Sequence, residues 1–278
     1  MKFSLMVLPF LLCQWVTGQS VNSKSISIQL GDQQVRLQIS EVPGEQIAYV
    51  HVHENETSSL EAGMTVLKKY GGKLVTLVHS EGSEKNRNVT FKHKKTIYRF
   101  DPNRIYSEND EVLRKAIQVV KGSGLVDEEI LRMVKNLADS IWKEVSGFPL
   151  IVALHNNKNT GPSVRRSWLF WFKYEPESYN ITSYVKKNEV SGEANLSCSD
   201  IYINPEINNS EFFIVTERRD FSLMYRKRFS VVLQNENPVD DGSMSVFAHK
   251  RSKRYINAEA RHGKVSTQIS MLELIHQL

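Results

Sequence analysis

Five consecutive apolar residues, Leu150-Ile151-Val152-Ala153-Leu154, run straight into His155-Asn156-Asn157. The run shows no polar alternation, so a strand made from it has both faces covered. Strands of that kind sit in the middle of a sheet with helices on each side. The rest of the chain offers suitable neighbours. Ser25 to Ser40 alternates apolar and polar residues around the turn signal Gly31-Asp32, which predicts a hairpin. Ile47 to Val52 and Lys73 to His79 predict strands. Thr57 to Tyr70 carries Leu60, Met64 and Leu67 at helical spacing and stops at Gly71-Gly72. Asp110 to Lys121 and Asp127 to Val145 predict helices, the second with Asp127 as N-cap and Glu128 and Glu129 in its first turn.

Phe212 to Thr216, Ser230 to Leu233 and Met244 to Ala248 read as further strands. Strands and helices alternate, so the expected fold class is α/β, with a mixed, largely parallel central sheet flanked by helices. The chain has 278 residues, of which 40% are hydrophobic, and this suits a single domain over 20–278. The stretch 161–209 reads as an irregular insertion.

Residues 1–19 look like a secretory signal peptide. Lys2 precedes the apolar stretch Phe3 to Cys13, and small residues follow at Thr17 and Gly18. The expected localisation is secreted or periplasmic. Cleavage would remove Cys13 and leave Cys198, which is expected to be buried. Sequons stand at Asn55, Asn88, Asn180, Asn195 and Asn208. No later segment predicts a transmembrane span. The formal net charge is +5, without a long basic tract interleaved with aromatics, so no nucleic acid is expected as a partner. The densest basic cluster, Lys250-Arg251-Ser252-Lys253-Arg254, reads as a solvated loop, and so do Asp240-Asp241 and Arg218-Arg219.

The chemistry concentrates in four short stretches. Tyr49 to Glu56 contains two overlapping His-x-x-Glu pairs, His51/Glu54 and His53/Glu56. One imidazole nitrogen and one carboxylate oxygen that close in sequence can grip a divalent metal from one side. His155 follows the buried run at its carboxyl end, where open α/β sheets place their ligand sites. A two-His, one-Glu set is a known catalytic zinc arrangement. In Asp101-Pro102-Asn103-Arg104, the guanidinium can fork onto a carboxylate and the Asn103 amide can add hydrogen bonds. Glu259, after a short strand-like run, can act as a general base and then a general acid. His262, three residues on, could orient it. No Gly-x-Ser-x-Gly elbow is present, which sets a serine hydrolase aside.

The order of these stretches resembles the aspartoacylase and succinylglutamate desuccinylase family of the zinc carboxypeptidase superfamily. The matching pieces are His53-Glu54-Asn55-Glu56, Asp101-Pro102-Asn103-Arg104-Ile105, Leu154-His155-Asn156-Asn157 and Glu259. The resemblance selects the His53/Glu56 register. It implies a zinc carboxypeptidase-like fold and one zinc ion held by His53, Glu56 and His155. It also implies that Asn103, Arg104 and Asn156 bind substrate, and that Glu259 and Arg104 carry the catalysis. The sequence departs from the family at Glu54, where Gly is common, at Pro102, where Leu is common, and around Glu259. No C-terminal β-domain is expected.

The resulting expectation is an exported zinc hydrolase that cleaves an amide bond in a peptide or N-acyl amino acid. The substrate would carry a carboxylate beside the scissile group. The alternative is a non-catalytic protein of the same fold that binds zinc or a carboxylate.

Overall fold

The computed structural model of the protein describes residues 20–157, 163–166, 171–174, 179–185 and 197–277. The expected signal peptide over 1–19, with Cys13, and the sequon at Asn195 lie outside them. In chain order the strands are Asn22–Leu30 (β1), Gln33–Val42 (β2), Ile47–His51 (β3), Gly72–Val78 (β4), Val89–His93 (β5), Thr96–Phe100 (β6) and Ile117–Lys121 (β7). They continue with Leu150–Asn157 (β8), Ser163–Arg166 (β9), Trp171–Tyr174 (β10), Cys198–Tyr202 (β11), Phe212–Val215 (β12), Val231–Gln234 (β13) and Arg254–Arg261 (β14). The helices are Thr57–Tyr70 (α1), Asp110–Ala116 (α2), Glu128–Val145 (α3), Arg218–Arg226 (α4), Met244–Lys250 (α5) and Val265–Ile275 (α6).

Nine strands form one sheet in the order β1-β2-β4-β3-β8-β14-β12-β13-β11. The apolar run is the first five residues of β8, the fifth of the nine strands in the sheet, and every residue of that strand is buried. Alternate residues serve two cores. Ile151 and Ala153 join Val50, with Val134, Leu137 and Ile141 of α3, on one face. Val152 and Leu154 join Tyr49, with Val66 and Leu67 of α1 and Met271 and Leu272 of α6, on the other. Helix α1 lies close against β8 because residue 63 is glycine: a Cβ there would come within 2.3 Å of Leu154 Cδ1.

The fold is α/β, but the sheet is not largely parallel. The pairs β3–β4, β3–β8, β8–β14 and β12–β13 are parallel. The pairs β1–β2, β2–β4, β12–β14 and β11–β13 are antiparallel. Parallel neighbours need long crossovers, whereas the two-residue connection at Gly31-Asp32 can give only an antiparallel pair.

Two local expectations change. The helix predicted over 110–121 stops at Ala116, and Ile117–Lys121 pairs with β6 instead. Its Ile-x-Val-Val content suits a strand that has a partner. The strand predicted over 244–248 is helix α5, N-capped by the Ser243 hydroxyl, which accepts from Val246 N–H. Five residues, four of them apolar, are too few to show a period that separates the two states. Helices α4 and α6 carried no clear sequence signal. By contrast, Asp127 caps α3 as expected, its Oδ1 accepting from Ile130 N–H at 3.0 Å.

Cys198 is buried, packed with Phe212 and Val232. The basic cluster is not a free loop. Lys250 pairs with Asp240, Arg251 with Glu108, and Arg254 forks onto Asp220. Among the described residues no helix is long and apolar enough to cross a membrane.

Candidate metal centre

Strand β3 ends at His51, and a tight turn, closed by Glu56 N–H to His53 C=O at 2.9 Å, joins it to α1. The turn folds the His53 and Glu56 side chains together, with Nδ1 to Oε1 at 3.0 Å. Strand β8 runs parallel to β3 and brings His155 to the same end of the sheet. His155 Nδ1 is 3.1 Å from His53 Nδ1 and 3.3 Å from Glu56 Oε2. All three residues are buried, and together they could hold one metal ion. Tetrahedral zinc with bonds near 2.05 Å separates its ligand atoms by about 3.3 Å, and these spacings are close to that, the two Glu56 distances being to different carboxylate oxygens.

Second contacts fix the ligands. His53 Nε2–H donates to Asp101 Oδ1 at 2.7 Å, which turns the Nδ1 lone pair inward. Asn156 N–H donates to Glu56 Oε2 at 2.9 Å. Burial works against charge on His53, but Glu56 and Asp101 outweigh it and lift the ring to about 9. Burial likewise works against the Glu56 carboxylate, yet His53 and His155 hold it well below the usual range. The centre therefore attracts positive charge, and a proton and a metal ion compete for one set of lone pairs.

The competing register is used differently. Burial pushes the His51 ring down to about 4, so it is neutral, and its Nε2–H donates to the Glu56 carbonyl at 3.0 Å. Glu54 accepts from His79 N–H at 3.2 Å, Ser80 N–H at 2.7 Å and Lys85 Nζ at 2.8 Å. Glu54 thereby anchors the loop that delivers Arg87, whose guanidinium contacts Glu56. A glycine in that position could not do this. Neither Asp101 nor Arg87 was assigned a role from sequence. Asp101 sat inside a recognised stretch, while Arg87 had no signal because its loop is placed by contacts distant in sequence.

Strand β14 lies parallel to β8 with Glu259 directly beside His155, so both side chains emerge on one face. The Glu259 carboxyl is buried and raised by burial, and Asn257 Nδ2–H donates to its Oε1 at 3.1 Å. A cavity of about 490 Å³ opens over Glu56, His155 and Glu259 and extends to Asn103 and Arg104. That volume suits a small ligand. Tyr179, Tyr184 and His262 also line it, and the two tyrosine hydroxyls are hydrogen-bonded to each other. The hydrogen bond on Glu259 comes from Asn257 rather than His262. Of the two polar pairs, Asp241 reaches the cavity, whereas Arg218 pairs with Asp200. Asn55 also lines the cavity, so a glycan on that sequon would intrude there.

Asn156 lines the cavity, and its amide also holds the scaffold. Its Oδ1 accepts from Ser59 N–H at 2.8 Å, in the first turn of α1, where Glu56 makes no side-chain cap. Its Nδ2 donates to Gln268 Oε1 at 2.7 Å, and Gln268 Nε2 donates to the His155 carbonyl at 3.0 Å. The amide thus stands in for the missing helix cap. Asn156→Ala is expected to cost about 2–3 kcal/mol and to lower Tm by roughly 5–10 °C in thermal unfolding of metal-free protein. An unchanged Tm would contradict this role.

No protein-family model matches the chain, and no curated protein matches it.

Proposed function

We propose that this protein is an exported zinc-dependent hydrolase that cleaves an amide bond beside a carboxylate-bearing group, in a peptide or an N-acyl amino acid. The observation that carries the reading is the buried His53, Glu56 and His155 cluster, whose Glu56 and His155 line one cavity with Glu259 and Arg104. Two imidazoles and one carboxylate are donors that suit zinc. When bound, zinc would supply Lewis-acid chemistry, polarising a carbonyl and lowering the pKa of water from about 15.7 toward 7.

The chain supplies the rest. Glu259, held by Asn257, takes the proton of the attacking water and returns it to the leaving nitrogen. Arg87 offers a guanidinium to the developing oxyanion, and Arg104 forks onto the substrate carboxylate with Asn103 beside it. The leader-like residues 1–19 support export, and exported peptides suit it better than a cytosolic metabolite.

A second reading is a non-catalytic carboxylate binder of the same fold. It draws support from the Arg87–Glu56 contact, which occupies an oxygen that a cation would use. Metal analysis of the purified mature protein, with peptide and N-acyl amino acid assays run with and without a chelator, tests the first reading. Stoichiometric zinc and chelator-sensitive hydrolysis are expected. A protein that binds no zinc, or hydrolysis that survives full chelation, would rule it out.

A further inference from the structure

Arg104 does not wait in the cavity as a lone cation. Its Nη1 pairs with the Asp241 carboxylate. Backbone contacts build the pair in. Gly242 adopts φ +74°, and a Cβ there would come within 2.5 Å of the Arg104 carbonyl oxygen. Tyr106 N–H donates to the Gly242 carbonyl at 2.8 Å, and Ser243 N–H donates to Asp241 Oδ1 at 3.0 Å. The segment carrying Asp241 is therefore tied to the segment carrying Arg104 through Gly242.

Both side chains line the cavity, and 44% and 49% of their surfaces remain open. A ligand can reach either. The neighbouring Asp240 differs, since Lys250, Ser107 and Gly242 N–H already engage it. Ser243 and Ser245 line the cavity as well, so the wall near Asp241 is polar.

This arrangement constrains what can bind. A ligand with only a carboxylate would either draw the guanidinium away from Asp241 or set a second anion beside it. Each course leaves one negative charge poorly compensated. A ligand with a carboxylate and a nearby cation exchanges one ion pair for two. We propose that this part of the cavity selects a ligand carrying both charges close together, its carboxylate on Arg104 and its ammonium or guanidinium on Asp241. The inference rests on the cavity being the substrate site and narrows the substrate class to an amino-acid group that keeps a free cation. The cation has two sources, the α-ammonium group or a basic side chain.

Calorimetric titration of the zinc-loaded protein with three probes tests this and separates the sources. Nε-Acetyl-lysine offers an α-ammonium and a carboxylate, Nα-acetyl-lysine a side-chain ammonium and a carboxylate, and Nα-acetyl-norleucine a carboxylate alone. At least one cationic probe is expected to bind about tenfold more tightly than the norleucine probe. Asp241→Asn is expected to shrink that preference to about twofold or less. Equal binding of all three probes, no binding of any, or a preference untouched by Asp241→Asn overturns the inference. The probe series on the unsubstituted protein decides the matter even where the variant folds poorly. Charge-selective binding without hydrolysis would leave this inference standing while the hydrolase reading fell. Equal kcat/KM on all three probes would do the reverse.

Discussion

Glu259→Gln is expected to keep its metal and lower kcat on the order of 10³-fold, the usual weight of a positioned acid–base group. Gln preserves the shape and the contact with Asn257 but can neither take nor return a proton. The three side chains that could hold a metal ion are other residues, so metal content should stay at the parent's level. A second readout is the pH profile. Burial raises the Glu259 carboxyl above the ordinary value near 4.3. A base must be ionised to act, so the parent's turnover should fall on the acid side as pH drops through that raised value. The variant's residual rate should lack this limb. A variant with parental kcat would remove Glu259 from the chemistry. A parent with full zinc and no turnover on any substrate would favour the non-catalytic reading.

His155→Ala should strike one step earlier, at the metal itself. It removes one corner of the triangle and leaves His53 and Glu56, with a weakened grip. Loss of a residue that only orients a ligand typically costs 10–100-fold in metal affinity, and loss of the ligand should cost at least about 100-fold. Asp101→Asn supplies the comparison: it spares all three ligands but gives up the charged acceptor of His53 Nε2–H, so an intermediate loss is expected. Zinc at about a thousand times its Kd should stabilise the parent by about 4 kcal/mol, or roughly 10 °C in Tm. His155→Ala should show almost none of that shift, and Asp101→Asn should recover it only at higher zinc. Equal zinc-induced shifts in parent and His155→Ala would show that the triangle is not the metal site.

Much of this centre was legible before any coordinates. His53, Glu56 and His155 could be picked because His155 stands near the end of one apolar strand, while His53 and Glu56 directly follow another. A strand carries its last side chains to the sheet edge whatever the rest of the chain does. Asp127 could be placed as a cap because capping is a local hydrogen bond between residues three apart. What was not legible shares the opposite cause. The scaffold contacts of Asn156 carried no local signal, because its partners Ser59 and Gln268 are respectively 97 and 112 residues away. Glu54 looked like a departure from a glycine, and its role depends on a loop 25 to 31 residues further on.

The sequence by itself determined the element types with strong periodicity, the buried central strand and the residues able to bind a cation. Those are local properties, set by side-chain chemistry and by the spacing of apolar positions along one chain segment. Only the tertiary structure decided that half of the main sheet's pairings are antiparallel, that Met244–Lys250 is a helix, and that Arg104 meets Asp241. Short apolar segments are nearly neutral between conformations, and packing against distant partners breaks the tie. The charge facing a substrate in this cavity is likewise a sum over residues 137 positions apart, and only the fold places those two side by side.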